Sequence, residues 1–179
     1  MNGIFRGIRP LDYVLAGLLT AAGVFLMIGN TTSSDDLPHA LSTTSWAIVP
    51  AFLLVTLPIL WRRRNIVTVV GITAVTTLAH VLAFGWITRC GVVIPLACAL
   101  AYAVARYAGA RTNHLLGLAG IAVILLVMLA RDASIDTIAG GLAVAAPVTA
   151  LFYGIGLLVQ NRVTKQSADL APVDERLAA

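Results

Sequence analysis

The sequence predicts an all-α fold, a polytopic membrane bundle of six transmembrane helices with both termini in the cytoplasm. Hydrophobic residues make up 59% of the 179 residues and charged residues only 11%, whereas a soluble domain has about a quarter of its residues charged. A spanning helix needs roughly 20 mainly apolar residues, so this length allows about six spans and no separate soluble domain. The third observation is that arginine is concentrated where apolar runs end.

The stretch Leu57–Val67 sets the orientation of the chain. An apolar run ends at Trp61, the arginines Arg62, Arg63 and Arg64 follow, and a second apolar run then begins. Because each arginine in hydrocarbon would cost several kcal/mol, we expect all three in water at the membrane face, with Trp61 at headgroup level as an interfacial anchor. Clustered arginine in a short loop indicates the cytoplasmic side.

The first three spans follow from the apolar runs around this corner. The first is predicted over Leu11–Gly29; it is longer than a signal-peptide core and ends without an Ala-x-Ala cleavage site, so we expect it to be retained. The second runs from Trp46 to Trp61, a short segment bracketed by two tryptophans of the kind that anchor helix ends at the interface. The third covers Ile66–Phe84.

The remaining spans are predicted over Val92–Ala108, Leu115–Ala130 and Thr137–Val159. Residues 1–10 then form a cytoplasmic N-terminus, and residues 160–179 form a polar cytoplasmic tail that we expect to be disordered. Four spans with two re-entrant segments is the alternative, because the second predicted span is short for a membrane crossing.

The distribution of basic residues supports this orientation. Ten lie in links placed inside and two in links placed outside, which is a strong positive-inside bias. Since the net charge of +4 arises at helix ends, we expect anionic headgroups and not nucleic acid as its partner. The inside residues are Arg6, Arg9, Arg62, Arg63, Arg64, Arg106, Arg111, Arg162, Lys165 and Arg176, and the outside residues are Arg89 and Arg131.

His80 is the one ionisable side chain predicted to lie well inside a span, on the same helical face as Thr73, Thr76 and Thr77. Lipid offers these groups no hydrogen-bond partner, so the face should contact other helices. Such a histidine can contact a ligand or sense protons; the alternative is a neutral histidine bonded across a helix interface. Cys98 is expected at a similar depth, but two ligands make a poor metal site, and no metal is predicted.

Small residues recur every fourth position in and after the fourth span, at Ala97, Ala101, Ala105 and Gly109. Small residues at this spacing let helix backbones approach closely, which is how membrane helices associate. The pattern therefore predicts a packing face. Its partner is either another span of the chain or a second copy.

The sequence lacks four common catalytic and cofactor motifs. A Walker loop, a Gly-rich dinucleotide turn, Gly-x-Ser-x-Gly and His-Glu-x-x-His are all missing, and no pair of membrane carboxylates is present for proton-coupled transport. We therefore expect a protein that is not an enzyme and carries no cofactor.

Three segments, Arg9–Asp12, Leu57–Arg64 and Tyr102–Tyr107, resemble the N-terminal membrane sensor region of two-component sensor histidine kinases from high-GC Gram-positive bacteria. The similarity extends over roughly residues 6–165. One departure is that Asn65 and Ile66 follow the arginines, where the family commonly has a proline.

The resemblance implies a sensor-like domain in a bacterial plasma membrane. In the family the sixth span leads into a helix with a phosphorylated histidine and then an ATP-binding domain, whereas residues 160–179 contain no histidine, so no kinase activity is expected. A truncated kinase and a small protein acting beside a kinase or a transporter both fit, as does a homodimer. The hypothesis is a domain that reads a membrane or amphiphile signal through helix packing; the alternative is a small permease or transporter subunit.

Overall fold

The computed structural model describes residues 7–32, 38–40, 45–85, 90–133 and 135–177, and these ranges contain helices and no strand. A 3₁₀ helix, Leu57–Trp61, continues the second helix without a break. The six α-helices are α1 Pro10–Thr32, α2 Ile48–Thr56, α3 Ile66–Phe84, α4 Cys90–Tyr107, α5 Arg111–Ala130 and α6 Ile138–Leu177.

Four helices are long and apolar enough to cross a membrane, namely α1, α3, α5 and α6. Their outer faces expose large apolar side chains such as Phe25, Leu82 and Leu115. A water-soluble protein rarely exposes contiguous apolar surface of this kind, and a membrane protein presents it to lipid. The predicted all-helical membrane fold is confirmed at this level.

The other two apolar helices are shorter, Ile48–Trp61 and Val92–Tyr107. In the first, Pro58 has no N–H to continue the α-helical pattern, and the chain changes to the 3₁₀ helix. This segment rises about 24 Å at the usual rise per residue, less than the roughly 30 Å hydrocarbon core.

The bounds of α3 confirm the predicted third span. Asn65 has an extended backbone, and its side-chain oxygen accepts a hydrogen bond from the Thr68 N–H at 3.2 Å. This N-cap satisfies one of the amide groups left unpaired at a helix start. At the other end Gly85 takes a positive φ of 69° and donates its N–H to the Val81 carbonyl, a conformation that favours glycine.

The last helix, α6, continues to Leu177, whereas a disordered tail is expected from the sequence after Val159. Residues 160–171 include several good helix formers and neither glycine nor proline, so local propensity favours continuation beyond Val159; Pro172 lies in the last two turns of the helix. A helix of this length rises about 60 Å, twice the hydrocarbon thickness.

The centre of the bundle is α4. It packs most extensively against α6 and also contacts α1, α3 and α5. Fully buried residues such as Leu96, Leu100 and Val104 lie along it. α4 therefore contacts every helix that is long and apolar enough to cross a membrane.

Candidate functional site

The start of α1, the end of the 3₁₀ helix and the end of α4 meet at one end of the bundle, where arginines surround the carboxylate of Asp12. Arg62 donates from Nε to Asp12 Oδ1 at 2.9 Å, and its Nη2 lies 2.7 Å from the same oxygen. Arg63 donates from Nε to Oδ2 at 2.9 Å. The backbone N–H of Arg9 donates to Oδ2 at 2.9 Å.

We call Asp12, Arg62 and Arg63 the Asp12 cluster. Asp12 is fully buried, and Arg62 is only 8% exposed. A buried ion must be paired and hydrogen-bonded, because desolvation costs several kcal/mol for each unpaired charge. The cluster meets this requirement and fixes the corner after α2 to the start of α1.

The three arginines, all expected in water, differ in their exposure. Arg62 is buried and Arg63 is partly buried, because both turn inward to Asp12. Only Arg64 is exposed. Of the predicted tryptophan anchors, Trp46 is 67% exposed and Trp61 is partly buried.

Tyr107, the last residue of α4, contacts both Arg63 of the Asp12 cluster and a further arginine, Arg106. The guanidinium of Arg63 lies 5.3 Å from the centre of its ring, and that of Arg106 lies 5.7 Å from it. Both distances are in the range of cation–π attraction. Arg106 is therefore held beside Arg63 without a carboxylate of its own among the described ion pairs.

Two adjoining cavities open beside this cluster. The first, of about 560 Å³, has its floor on α4 and its walls on α1 and α6; we call it the apolar groove. The second, of about 530 Å³, is lined by Arg9, Arg62, Arg63 and Arg106 among others; we call it the arginine recess. The two share Leu15, Arg62 and Tyr102, so they are parts of one amphipathic space.

The His80 face of α3 is buried but, unlike the Asp12 cluster, poor in hydrogen bonds. Thr73, Thr77 and His80 are at most 5% exposed, and Thr73 Oγ1, Thr77 Oγ1 and His80 Nε2 have no hydrogen-bond partner in the described part of the chain. The imidazole packs against the rings of Phe52 and Phe84, at 5.8 and 5.1 Å between centroids.

Thr76 differs from the other members of this face. It is only partly buried, and its hydroxyl donates back to the Ile72 carbonyl at 2.8 Å. Back-bonding of this kind satisfies a threonine inside a membrane helix without a partner helix.

Cys98 is buried on α4 beside Thr149 of α6 and lines the apolar groove. The structure therefore places it with α6 and the groove, not with His80 in a shared metal site. Among the described residues, no three His, Cys, Asp or Glu side chains come close enough to hold a metal ion.

The small-residue face of α4 is buried at Ala97, Ala101 and Ala105, which are at most 3% exposed. The prediction that Gly109 belongs to this packing face is wrong. Gly109 lies beyond the end of α4, is exposed, and has a positive φ of 70°. Its role is to turn the backbone into the next link. Gly156 of α6 supplies the close approach instead, since a Cβ built there would lie 2.6 Å from that of Ala105 and 2.8 Å from the Tyr102 carbonyl oxygen.

Several residues of this end were not predicted as site residues. Asp12 lies near the inner end of the first predicted span, where Arg9 and the arginine corner are alternative partners. In the structure it forms ion pairs with Arg62 and Arg63, and Arg9 contributes its backbone N–H. Tyr102 and Tyr107 carry no signal beyond their place before a basic link. His114 and Tyr153 add a hydrogen bond of 2.9 Å between α5 and α6 at the same end.

No family model matches the chain, and neither a curated protein nor a solved structure is significantly similar to it.

Proposed function

We propose that the protein is a six-span integral membrane domain of a bacterial plasma membrane, with both termini in the cytoplasm. In this proposal it acts as a non-enzymatic sensor or interaction domain, similar to the input region of a sensor histidine kinase. It reads the state of the membrane, or an amphiphile in it, through the packing of its helices. The output passes along α6 to a partner kinase or transporter, or to a second copy.

The observation that carries this proposal is the continuity of α6. One helix runs from Ile138, beside the end of the bundle opposite the Asp12 cluster, through the contact at Gly156 and on to Leu177. Between the contact at Gly156 and Gln166 the helix contains no proline, so a rotation or shift of α6 at its contact with α4 would be carried into the part that projects from the bundle. Small displacements of packed helices are a common form of switching in proteins.

The proposed topology is supported by where the basic helix ends lie. The Asp12 cluster joins the start of α1 to the corner before α3, and Tyr107 brings the end of α4 to the same place. The hydrogen bond between His114 and Tyr153 brings the start of α5 and the outgoing part of α6 there as well. Arg162 and Lys165 follow on α6, so one end of the bundle carries most of the positive charge, as cytoplasmic ends do.

The apolar groove favours an amphiphile over a hydrophilic solute. Its lining is almost entirely aliphatic and aromatic, whereas a permease for a polar substrate needs polar groups along its path. For this reason we prefer the sensor to the permease.

A chimera tests this function directly. We would fuse a histidine-kinase catalytic core after Gln166, in helical register, and reconstitute it in bilayers of short-chain or long-chain phosphatidylcholine. We expect autophosphorylation to differ between the two bilayers, because changed thickness would shift the helices that surround α4.

Insertions after Gln160 provide the control. Seven added residues nearly restore the helical phase, whereas two added residues rotate the output by about 200°. We expect the first chimera to keep the response and the second to change or lose it. Equal phosphorylation in every bilayer by all three chimeras would reject the proposed signalling role.

A further inference from the structure

We infer that the apolar groove and the arginine recess form a binding site for one anionic phospholipid, with an acyl chain in the groove and the phosphate in the recess. This inference deepens the proposed function, on which it rests, by naming the molecule to which the domain would respond.

The groove has the shape and lining that an acyl chain needs. It follows α4 from Tyr102 to Ile94, about 12 Å along the helix axis. Leu19 of α1 and Phe152 of α6 form opposite walls. The volume of about 560 Å³ lies within the range of natural ligand sites, which are also mostly apolar.

The recess has the charge that a phosphate needs. Arg9, Arg62, Arg63 and Arg106 line it, and its lining contains no acidic side chain. Asp12, fully buried behind Arg62 and Arg63, neutralises one of these charges. Four arginines against one carboxylate leave a surplus of positive charge, and a phosphodiester is the complementary group at this depth of the membrane.

The positions of the arginines are fixed before any lipid arrives. Asp12 holds Arg62 through Nε and Nη2 and holds Arg63 through Nε, so Nη1 of Arg62 and the two Nη groups of Arg63 are left for a second anion. The ring of Tyr107 holds Arg63 and Arg106 near each other. Preorganised donors lose little conformational entropy on binding, which raises affinity. Asp12 is thus a positioning residue for the site.

The order of groups along the groove also matches a lipid. The recess lies at the end where α1 begins and α4 ends, and the groove extends from there toward the middle of both helices. A phospholipid in the cytoplasmic leaflet places its phosphate at the surface and its chains toward the centre. The site therefore accepts the lipid in its normal orientation.

The test is native mass spectrometry of the full chain in detergent, with phosphatidylglycerol, phosphatidylcholine and palmitate as separate probes. We expect one tightly bound phosphatidylglycerol, and weaker binding of the other two. Arg106→Gln should weaken phosphatidylglycerol binding about five-fold, the effect expected for one basic residue near an anionic headgroup. The matched control is Arg111→Gln, which removes the same charge outside the recess and should change binding less than two-fold.

A second pair of variants tests the acyl chain. Ala99→Phe places a ring in the groove and should reduce binding of phosphatidylglycerol about ten-fold. Ala143→Phe adds the same ring at an exposed position of α6 outside the groove and should have no effect. Size-exclusion profiles would show that both variants fold, and Arg106→Gln gives an independent readout if Ala99→Phe does not.

The inference is overturned if phosphatidylcholine or palmitate binds as tightly as phosphatidylglycerol, or if both arginine variants weaken binding equally. The outcome is distinguishable from failure of the proposed function. If the chimeras respond to bilayer thickness but the chain does not bind the lipid selectively, the sensor proposal is retained and the lipid site is rejected. If phosphatidylglycerol binds selectively but kinase output does not change, the lipid site is retained and the sensor proposal is rejected.

Discussion

The Asp12 cluster and the His80 face are two buried polar regions of one bundle, and they are built in opposite ways. Asp12 receives hydrogen bonds from two guanidiniums and a backbone amide. In contrast, Thr73, Thr77 and His80 bury polar atoms that have no hydrogen-bond partner among the described residues. Full charges must be paired inside a membrane protein, whereas a neutral hydroxyl group or one imidazole nitrogen can be buried unpaired at a cost of about 1–3 kcal/mol each.

The two regions have different roles in the bundle. The Asp12 cluster connects the start of α1 to the corner before α3, contacts the end of α4 through Tyr107, and lies beside an open cavity, so it combines a structural role with the proposed lipid site. The His80 face packs against Phe52 and Phe84. We therefore expect stability to depend on the first region far more than on the second.

The largest expected effect is that of Asp12→Asn. This change leaves Arg62 buried without its counter-charge and should lower the free energy of unfolding by about 3–5 kcal/mol, measured by unfolding in mixed micelles of increasing SDS fraction. Asp136→Asn is the control, because Asp136 is exposed and should change stability by no more than about 0.5 kcal/mol.

Replacing all three residues of the Asp12 cluster tests whether charge pairing is the cause of the lost stability. In the triple variant Asp12→Leu, Arg62→Leu, Arg63→Met no charge is left buried alone, so much of the lost stability should return. Equal destabilisation by the single and triple variants would show that geometry other than charge pairing holds this corner.

The second expected effect concerns the contact between α4 and α6. Gly156→Ala would place a methyl group against Ala105 and the Tyr102 carbonyl, and overpacking of this kind costs about 1–3 kcal/mol. Gly154→Ala, two residues away, meets no atom within 4 Å and should be neutral or slightly stabilising. The same SDS titration measures both, and equal changes of stability in the two variants would contradict a specific cost of the close approach at Gly156.

The smallest expected effect tests the unpaired hydroxyls. Thr77→Val removes a hydroxyl that has no partner in the described chain and should raise stability by up to about 1 kcal/mol. Thr20→Val should lower it by about 0.5–1 kcal/mol, because the Thr20 hydroxyl lies 2.7 Å from that of Thr56 on the neighbouring helix. If both changes destabilise equally, the His80 face has partners that its packing does not indicate.

Local sequence signals predicted the helices well and the site only in part. The bounds of α3 follow from an Asn cap and a glycine stop, which are visible in sequence. The sequence offers Arg9 and the arginine corner as partners of Asp12, but which of them pairs with it depends on how α1 lies against a corner some 50 residues away, and no periodicity contains that information. The groove is also invisible in sequence, because its lining comes from three helices that are each simply apolar.

The end of α6 shows a different limit of prediction from sequence. Polarity after Val159 indicates where a helix leaves hydrocarbon, but it does not indicate where the helix stops, since a polar segment with good propensity remains helical in water. Gly109 shows the same limit for packing motifs. It continues the spacing of Ala97, Ala101 and Ala105 numerically, although α4 has already ended at Tyr107.

The measurement that tests the central claim most directly is the accessibility of single cysteines to a membrane-impermeant maleimide, in a background without Cys90 and Cys98. The variants are Arg64→Cys, Gln166→Cys and Asp136→Cys. We expect Asp136→Cys to react in intact cells, and the other two to react only after the membrane is permeabilised. Labelling of Arg64→Cys and Gln166→Cys from opposite sides would contradict a six-span bundle whose arginine-rich end faces the cytoplasm.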